Sequence, residues 1–342
     1  MLNKISIDKY QSAVILFMVL IGTLNDNAVA GKKPALEMLS VERAIPSKTS
    51  DLPLASPTEM QIDEKGGIFV IDQKLSSILQ FDSSGNTVRQ IGRHGQGPGE
   101  FQMPHSFVYD AGKLFIVDQG NKRVQIMNAS GEFISSFKMY RILDEIAYAD
   151  DMIIGQQDLM PHELDKYRLL SVFDHEGRSI RSFGKPINDV VGISGLPPDA
   201  SNVKIRIYKG KIFVIFRYYP VFQIYSLDGE LLETHKLAVE RLAPKNYSLR
   251  SILARPGIIN MQYLFLAFDV NEGGLFACLF KDDIEILRFD FSGNCLNRYL
   301  YRNPGGERTY VLDIRVSKRQ GGYRFHVLEY LPEPRIEVFT SI

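Results

Sequence analysis

The stretch Ile68-Phe69-Val70-Ile71-Asp72 … Leu79-Gln80-Phe81-Asp82-Ser83-Ser84-Gly85 returns 46 residues later. The second copy reads Leu114-Phe115-Ile116-Val117-Asp118 … Gln125-Ile126-Met127-Asn128-Ala129-Ser130-Gly131. Each copy is a short apolar strand, a second strand, and an Asp/Asn-x-x-Gly turn. A period of that size built from strands is the signature of propeller blades. With the strands of a blade lettered A to D from the central axis outward, six B strands are legible. They are Ile68–Asp72, Leu114–Asp118, Met152–Gly155, Ile212–Phe216, Leu275–Phe280 and Tyr323–Leu328. Short apolar runs bounded by turn signals fit strands buried on both faces.

The turn after strand C recurs five times. Besides the two copies above it appears as Phe173-Asp174-His175-Glu176-Gly177, Tyr225-Ser226-Leu227-Asp228-Gly229 and Phe289-Asp290-Phe291-Ser292-Gly293. The last position supplies a positive φ for a tight hairpin, and an acid or amide before it caps the turn. The sixth unit stops at a C strand, Arg335-Ile336-Glu337-Val338-Phe339. The stretch Leu36–Ile45 partly alternates apolar and polar, as a half-buried strand requires. The expectation is an all-β, six-bladed β-propeller with four-stranded blades. Its N-terminal strand completes the last blade and removes an open sheet edge. On this reading residues 31–342 form one domain.

Residues 1–30 read differently. Lys4 and Lys9 precede an apolar run from Ala13 to Ile21, then Asn25-Asp26-Asn27 and Ala28-Val29-Ala30. Basic, apolar and small-residue segments in that order make a secretory signal peptide cleaved after Ala30. The expected address is exported, periplasmic or cell-surface. The alternative is an uncleaved anchor, although the run is shorter than the roughly 20 residues that span a bilayer. No Cys lies near the cleavage site to carry a lipid. The two cysteines, Cys278 and Cys295, fall on the second and fourth strands of one blade. That places them near 10 Å apart, beyond the roughly 7 Å between Cα atoms that a disulfide tolerates. Two free thiols are expected.

The 342 residues are 45% hydrophobic, and Lys+Arg and Asp+Glu are both 40. A formal net charge of zero gives no global electrostatic case for nucleic acid or an anionic membrane surface. A membrane association would run through the N-terminal segment alone. Composition supplies no oligomerisation signal, and a monomer is expected.

Between blades one and two lies Ile91-Gly92-Arg93-His94-Gly95-Gln96-Gly97-Pro98-Gly99-Glu100-Phe101. With Phe115-Ile116-Val117-Asp118-Gln119-Gly120-Asn121-Lys122-Arg123-Val124-Gln125-Ile126, it resembles an NHL repeat. It is also similar to the exported bacterial six-bladed β-propeller family that carries G-x-x-G-x-G-P-G-x-F between blades. The resemblance implies the six-bladed ring. It does not imply one activity, since NHL-type propellers include protein-binding scaffolds, RNA binders and a metal-dependent lyase.

The chemistry-bearing residues are few. The glycine-rich link lacks the Gly-Lys-Ser/Thr ending of a phosphate loop, and Pro98 removes a backbone donor. Arg93 and His94 project from it as candidate ligand contacts. Asp118, Asn121 and Arg123 match the family's Asp-x-x-Asn-x-Arg pattern, in which Asp and Asn cap the loop and Arg pairs with the Asp. Arg123 is also carried as a candidate contact. Blade one keeps Asp72 but has Ser76 and Ile78 at the other two places. Strand order puts the D-to-A links and B-to-C loops on one face. The long insertions, roughly 185–203, 238–257 and 156–167, fall there too, so that face is the expected binding face. Arg217-Tyr218-Tyr219-Pro220, a B-to-C loop, combines residue types enriched at binding hot spots. His94, His105 and His162 are the one conceivable metal set, since a catalytic zinc needs three converging ligands; His105 is also a ligand-contact candidate.

Two readings follow. The first is a non-enzymatic exported binding module without a cofactor, recognising a protein, peptide or glycan on its loop-rich face. The second is an enzyme of the lyase or lactonase type, with a divalent metal at the mouth of the central channel.

Overall fold

Twenty-four strands pair into the blades that the repeat implies. The computed structural model describes residues 34–46, 52–157, 168–191, 201–239, 263–306, 308–330 and 333–341. Strands A to D of blade one are Pro57–Ile62, Ile68–Asp72, Ser77–Phe81 and Thr87–Ile91. Blade two is Pro104–Asp110, Lys113–Asp118, Arg123–Asn128 and Phe133–Lys138. Blade three is Leu143–Ala149, Met152–Gln157, Leu170–Phe173 and Ser179–Phe183. Blade four is Val203–Tyr208, Lys211–Phe216, Val221–Ser226 and Leu231–Lys236. Blade five is Phe265–Asn271, Gly274–Leu279, Ile284–Phe289 and Cys295–Tyr301. Blade six contributes Val311–Arg319, Gly322–Glu329 and Arg335–Ser341.

Ala35–Ile45 supplies the missing D strand. Leu39–Ile45 runs antiparallel to strand C of blade six, with Leu39 opposite Ser341 and Ile45 opposite Ile336. Its first four residues do something the sequence does not announce. Ala35–Met38 pair in parallel with strand D of blade five, Ala35 opposite Asn297 and Met38 opposite Leu300. Blades five and six thereby become one eight-stranded sheet. The closing strand thus completes one blade and staples it to the neighbour.

The periodicity has a packing cause. Strands B and C are buried almost throughout, whereas D strands such as Thr87–Ile91 expose most of their length. Each blade's inner strands sit between two neighbours, so both faces are apolar and the run reads as continuous. The core is correspondingly divided into six clusters, one at each blade junction. Phe69 and Ile71 of blade one meet Phe107 and Ile116 of blade two. Val338 and Ile336 of blade six meet Ile68 and Val70 of blade one, with Ile45 of the closing strand in the same cluster. The A strands of consecutive blades touch all the way round, blade six to blade one included.

The hairpins form as the turn chemistry requires. Asp82 accepts the N–H groups of Ser84 and Asn86 on one carboxylate oxygen, and Gly85 takes φ +92°. Both cysteines are free; Cys278 is buried in strand B and Cys295 is half-buried in strand D of blade five. Residues 1–33, which include the leader reading, and most of the three long insertions lie outside the described residues.

Candidate functional site at the channel mouth

Asp118 ends strand B of blade two and is fully buried. Its carboxylate accepts hydrogen bonds from Gln102 N at 2.7 Å, Asn121 Nδ2 at 2.8 Å, Arg123 Nε at 2.8 Å and Gln125 Nε2 at 3.2 Å. The donors are themselves committed to the glycine-rich link. Asn121 Nδ2 also donates to the carbonyl of Gly95, and Arg123 donates to the carbonyls of Gly97 and Glu100. The cluster clamps the crossover that carries the chain into blade two. Gly92 takes φ +83°, and a Cβ there would run into the Phe101 ring, so the link needs glycine at that point. Arg93 lies on the surface, paired with Glu100 at 2.9 Å. His94 is exposed, with its Nδ1 3.5 Å from Ser76 Oγ. Blade one builds the same clamp without Asn or Arg. Asp72 instead takes backbone N–H groups of Ala55, Ser56 and Leu75.

A second concavity lies where the six A strands begin. It encloses about 370 Å³ and is lined from every blade, by residues such as Glu59, Ser106, Glu145, Lys204, Tyr263 and Leu312. This is the channel mouth on the face of the D-to-A links and B-to-C loops. It falls near the low end of the roughly 300–1,000 Å³ range of small-molecule sites.

Below the rim, most blade junctions are latched by one device. A side chain on one A strand accepts the backbone N–H of the next. Glu59 accepts Phe107 N at 3.2 Å, Ser106 Oγ accepts Ile146 N at 3.3 Å, and Glu145 accepts Ile205 N at 3.4 Å. Asp269 accepts Val316 N at 2.7 Å and Asp313 accepts Met60 N at 3.1 Å, which closes the ring. Blade four breaks the pattern with Lys204 and Arg206, which have no acceptor to offer. There the carbonyl of Arg217 takes over, receiving Leu264 N at 2.8 Å and Phe265 N at 3.0 Å.

The cations of blade four and Arg315 neutralise the latch acids. Lys204 Nζ sits 2.7 Å from Glu145, and Arg206 bridges Glu145 at 3.0 Å and Asp313 at 2.9 Å. Arg315 pairs with Asp313 at 2.7 Å. Burial alone would raise the Glu145 and Asp313 carboxyls, but these cations outweigh it and hold both below the ordinary range. Glu59 fares otherwise. Its nearest cations are Arg315 at 3.7 Å and Arg206 at 4.0 Å. Burial, with Glu145 and Asp313 nearby, pushes its carboxyl up to about 7. Among the described residues the four acids Glu59, Glu145, Asp269 and Asp313 face Lys204, Arg206 and Arg315, and with Glu59 protonated these charges balance.

Arg217 also lines the mouth. Its guanidinium lies 3.7 Å over the Tyr263 ring, against which Tyr218 stacks at 4.5 Å. Tyr218 and Tyr219 themselves are buried in the core. Among the described residues the Tyr219 hydroxyl has no hydrogen-bond partner, and burial pushes its phenol up. Of the other sequence candidates, His105 lines the mouth with its Nδ1 3.1 Å from Gln73 Nε2, whereas His162 lies outside the described residues. Among the described residues no group of three or more His, Cys, Asp or Glu side chains is placed to hold a metal ion. The sequence reading did not single out Glu59, Glu145, Lys204, Arg206, Asp269, Asp313 or Arg315. Their one signal is charge at alternate positions of an otherwise apolar strand, as in Lys204-x-Arg206 and Asp313-x-Arg315.

Residues 25–185 match the model of a family described as 6-bladed beta-propeller. The human NHL repeat-containing protein 3 is 28% identical over 87 residues, which is 24% of this chain and 25% of that protein. The chain thus spans about a quarter of the length of that curated relative. Among solved structures, a Bacteroides fragilis protein whose assignment as exported is itself provisional aligns with TM-score 0.61 and 16% identity. The alignment covers 90% of this chain and 99% of the other. A streptogramin B lyase aligns with TM-score 0.52 and 13% identity over 88% of this chain and 87% of its own. A Bacteroides vulgatus propeller neighbour aligns with TM-score 0.54 and 12% identity over 89% and 97%. At these identities the structural likeness is one of fold. With that fold and its blade-two motif in place, the chain resembles the six-bladed β-propeller family with NHL-like repeats.

Proposed function

We propose that the chain is an exported binding module that recognises the polar end of a peptide, protein segment or glycan at its channel mouth. One observation carries this reading. The concavity is lined from all six blades by donors and acceptors, on the face where the links and long loops gather. A rigid ring supplies preorganised groups, so little ordering cost falls on the protein when a ligand enters. The N-terminal leader reading supports export. Among the described residues no helix is long and apolar enough to cross a membrane.

The test is a screen of peptides and oligosaccharides against the wild type and Thr58→Trp, which sets an indole at the mouth. Binding by the wild type that the substitution abolishes supports the reading. Equal binding by both places recognition elsewhere, and conversion of a ligand into product during the titration replaces the binding reading with an enzymatic one.

A further inference from the structure

One cation at the mouth has no anion. The cations deeper in the channel are each paired with a carboxylate: Lys204 with Glu145, Arg206 with Glu145 and Asp313, Arg315 with Asp313. Arg217 is not. Of the five N–H groups of a guanidinium, its side chain uses two, both at long range: 3.3 Å to Asn202 Oδ1 and 3.5 Å to the Leu266 carbonyl. Among the described residues its buried Nε has no partner, and no carboxylate lies within ion-pair distance. The ring does not need this charge, because the Arg217 carbonyl, not the guanidinium, latches blade four to blade five. The guanidinium is held all the same, 3.7 Å over the Tyr263 ring. A planar fork fixed on an aromatic ring, with N–H groups to spare at the wall of a cavity, suits a carboxylate.

The surroundings narrow the ligand. With Glu59 protonated, the channel acids are balanced by Lys204, Arg206 and Arg315, and Arg217 stands outside that balance. Lys204 is held by Glu145 at 2.7 Å and adds no second unpaired charge. The carboxylates of Asp144 and Glu145 line the same mouth. They would repel a doubly charged anion such as phosphate more than a planar monoanion. Nor does the Tyr263 ring offer a platform on which a sugar could stack. Tyr218 stacks on it at 4.5 Å between centroids, and Arg217 lies at 3.7 Å. Two groups that close cannot share a face, so both faces of the ring are covered. The lining also includes Val203, Val311 and Leu312, against which an apolar side chain can pack.

We infer that Arg217 receives the C-terminal carboxylate of a peptide at the channel mouth. The inference deepens the binding reading of the mouth and rests on it. A cavity of about 370 Å³ suits the end of such a chain.

Calorimetric titration of the full chain tests it. The probes are N-acetyl-Ala-Ala-X peptides, with each of the twenty amino acids at X, as free acids and as amides. Acetylation removes the ammonium, so the members of a pair differ only at the terminal carboxylate. At least one free acid binds, and its amide binds at least roughly tenfold more weakly, the scale of a lost hydrogen bond to a charged group. Arg217→Met weakens the free acid by a similar factor and does not weaken the amide further. That variant keeps the backbone latch, so its melting temperature without ligand stays near the wild-type value and separates a binding defect from a folding one. Arg217→Lys restores only part of the affinity, because a point charge cannot reproduce the fork. The inference is overturned if no free acid binds, if the amide binds as well as the acid, or if Arg217→Met keeps full affinity. It is overturned too if inorganic phosphate binds more tightly than every free acid. If glucuronate binds and no peptide does, and Thr58→Trp blocks it, the peptide inference fails while the mouth reading stands. If a free acid binds Thr58→Trp undiminished, the mouth reading itself fails.

Discussion

Asp118 in blade two and Glu59 in blade one are both buried carboxylates, and their surroundings differ in kind. Asp118 receives four donors, three of them side chains within eight residues of it in sequence. Glu59 receives Ser106 and Phe107 of the next blade and, at 3.4 Å, Gln61 of its own strand, and its cations stand off at 3.7 and 4.0 Å. A fully satisfied buried charge holds a structure together. A partly satisfied one at the wall of a cavity keeps bonding capacity in reserve, and in a close-packed protein that reserve marks a site.

The largest expected effect concerns the ring that carries both regions. Deleting residues 35–45 exposes strand C of blade six and unlinks it from blade five. Cooperative thermal unfolding should be lost, or the midpoint should fall by well over ten degrees, on the scale of several kcal/mol at about 2–4 °C per kcal/mol. A truncated protein melting at the wild-type temperature would refute closure by this strand. Next comes the contrast itself. Asp118→Ala leaves half-buried Arg123 without its anion and should cost about 3 kcal/mol. Arg217→Met loses a ring contact and two long hydrogen bonds, to Asn202 and the Leu266 carbonyl, at about 1 kcal/mol. Denaturant titration of the two variants measures the gap, and equal costs would dissolve the distinction.

A smaller effect appears with pH. The Glu59 carboxyl titrates near 4.5 in an unfolded chain and near 7 in the folded one. Between those values the folded state holds a proton that the unfolded state has released, so this group's contribution to stability falls as pH rises from about 4.5 to 7, then levels off. Glu59→Gln should flatten that slope and melt higher than wild type at pH 8. An unchanged pH profile would show that Glu59 is ionised throughout. The smallest effect is at Tyr219, whose buried hydroxyl finds no partner among the described residues. Tyr219→Phe should change stability by no more than about 0.5 kcal/mol and leave binding intact; a loss of affinity would put Tyr219 back among the ligand contacts.

Much of the ring was readable because its signals are local. Strands B and C lie between blades and read as apolar runs, and Asp82-x-x-Gly85 and its four counterparts are complete within four residues. The closing strand could be inferred from an orphan at one end and a gap at the other. Its parallel pairing onto blade five could not, since a parallel register between Ala35 and Asn297 leaves no turn to read. Asp118, Asn121 and Arg123 were visible for the same reason as the hairpins: their partners are neighbours in sequence. The channel charges were not. Arg206 meets Asp313 across 107 residues, and each member alone looks like the solvent-facing half of an alternating strand. Arg217 was noticed for its company with Tyr218 and Tyr219. The structure gives it a different neighbour, Tyr263, and buries the two tyrosines beside it.

The central claim is that recognition belongs to the half-satisfied mouth and not to the blade-two clamp. Amide hydrogen exchange with and without the tightest binder from the peptide and oligosaccharide screen, at saturation, addresses it directly. The account predicts slowed exchange around Asn202, Arg217 and Tyr263, with the Gly92–Phe101 link unchanged. Protection confined to that link, or protection nowhere, would contradict it.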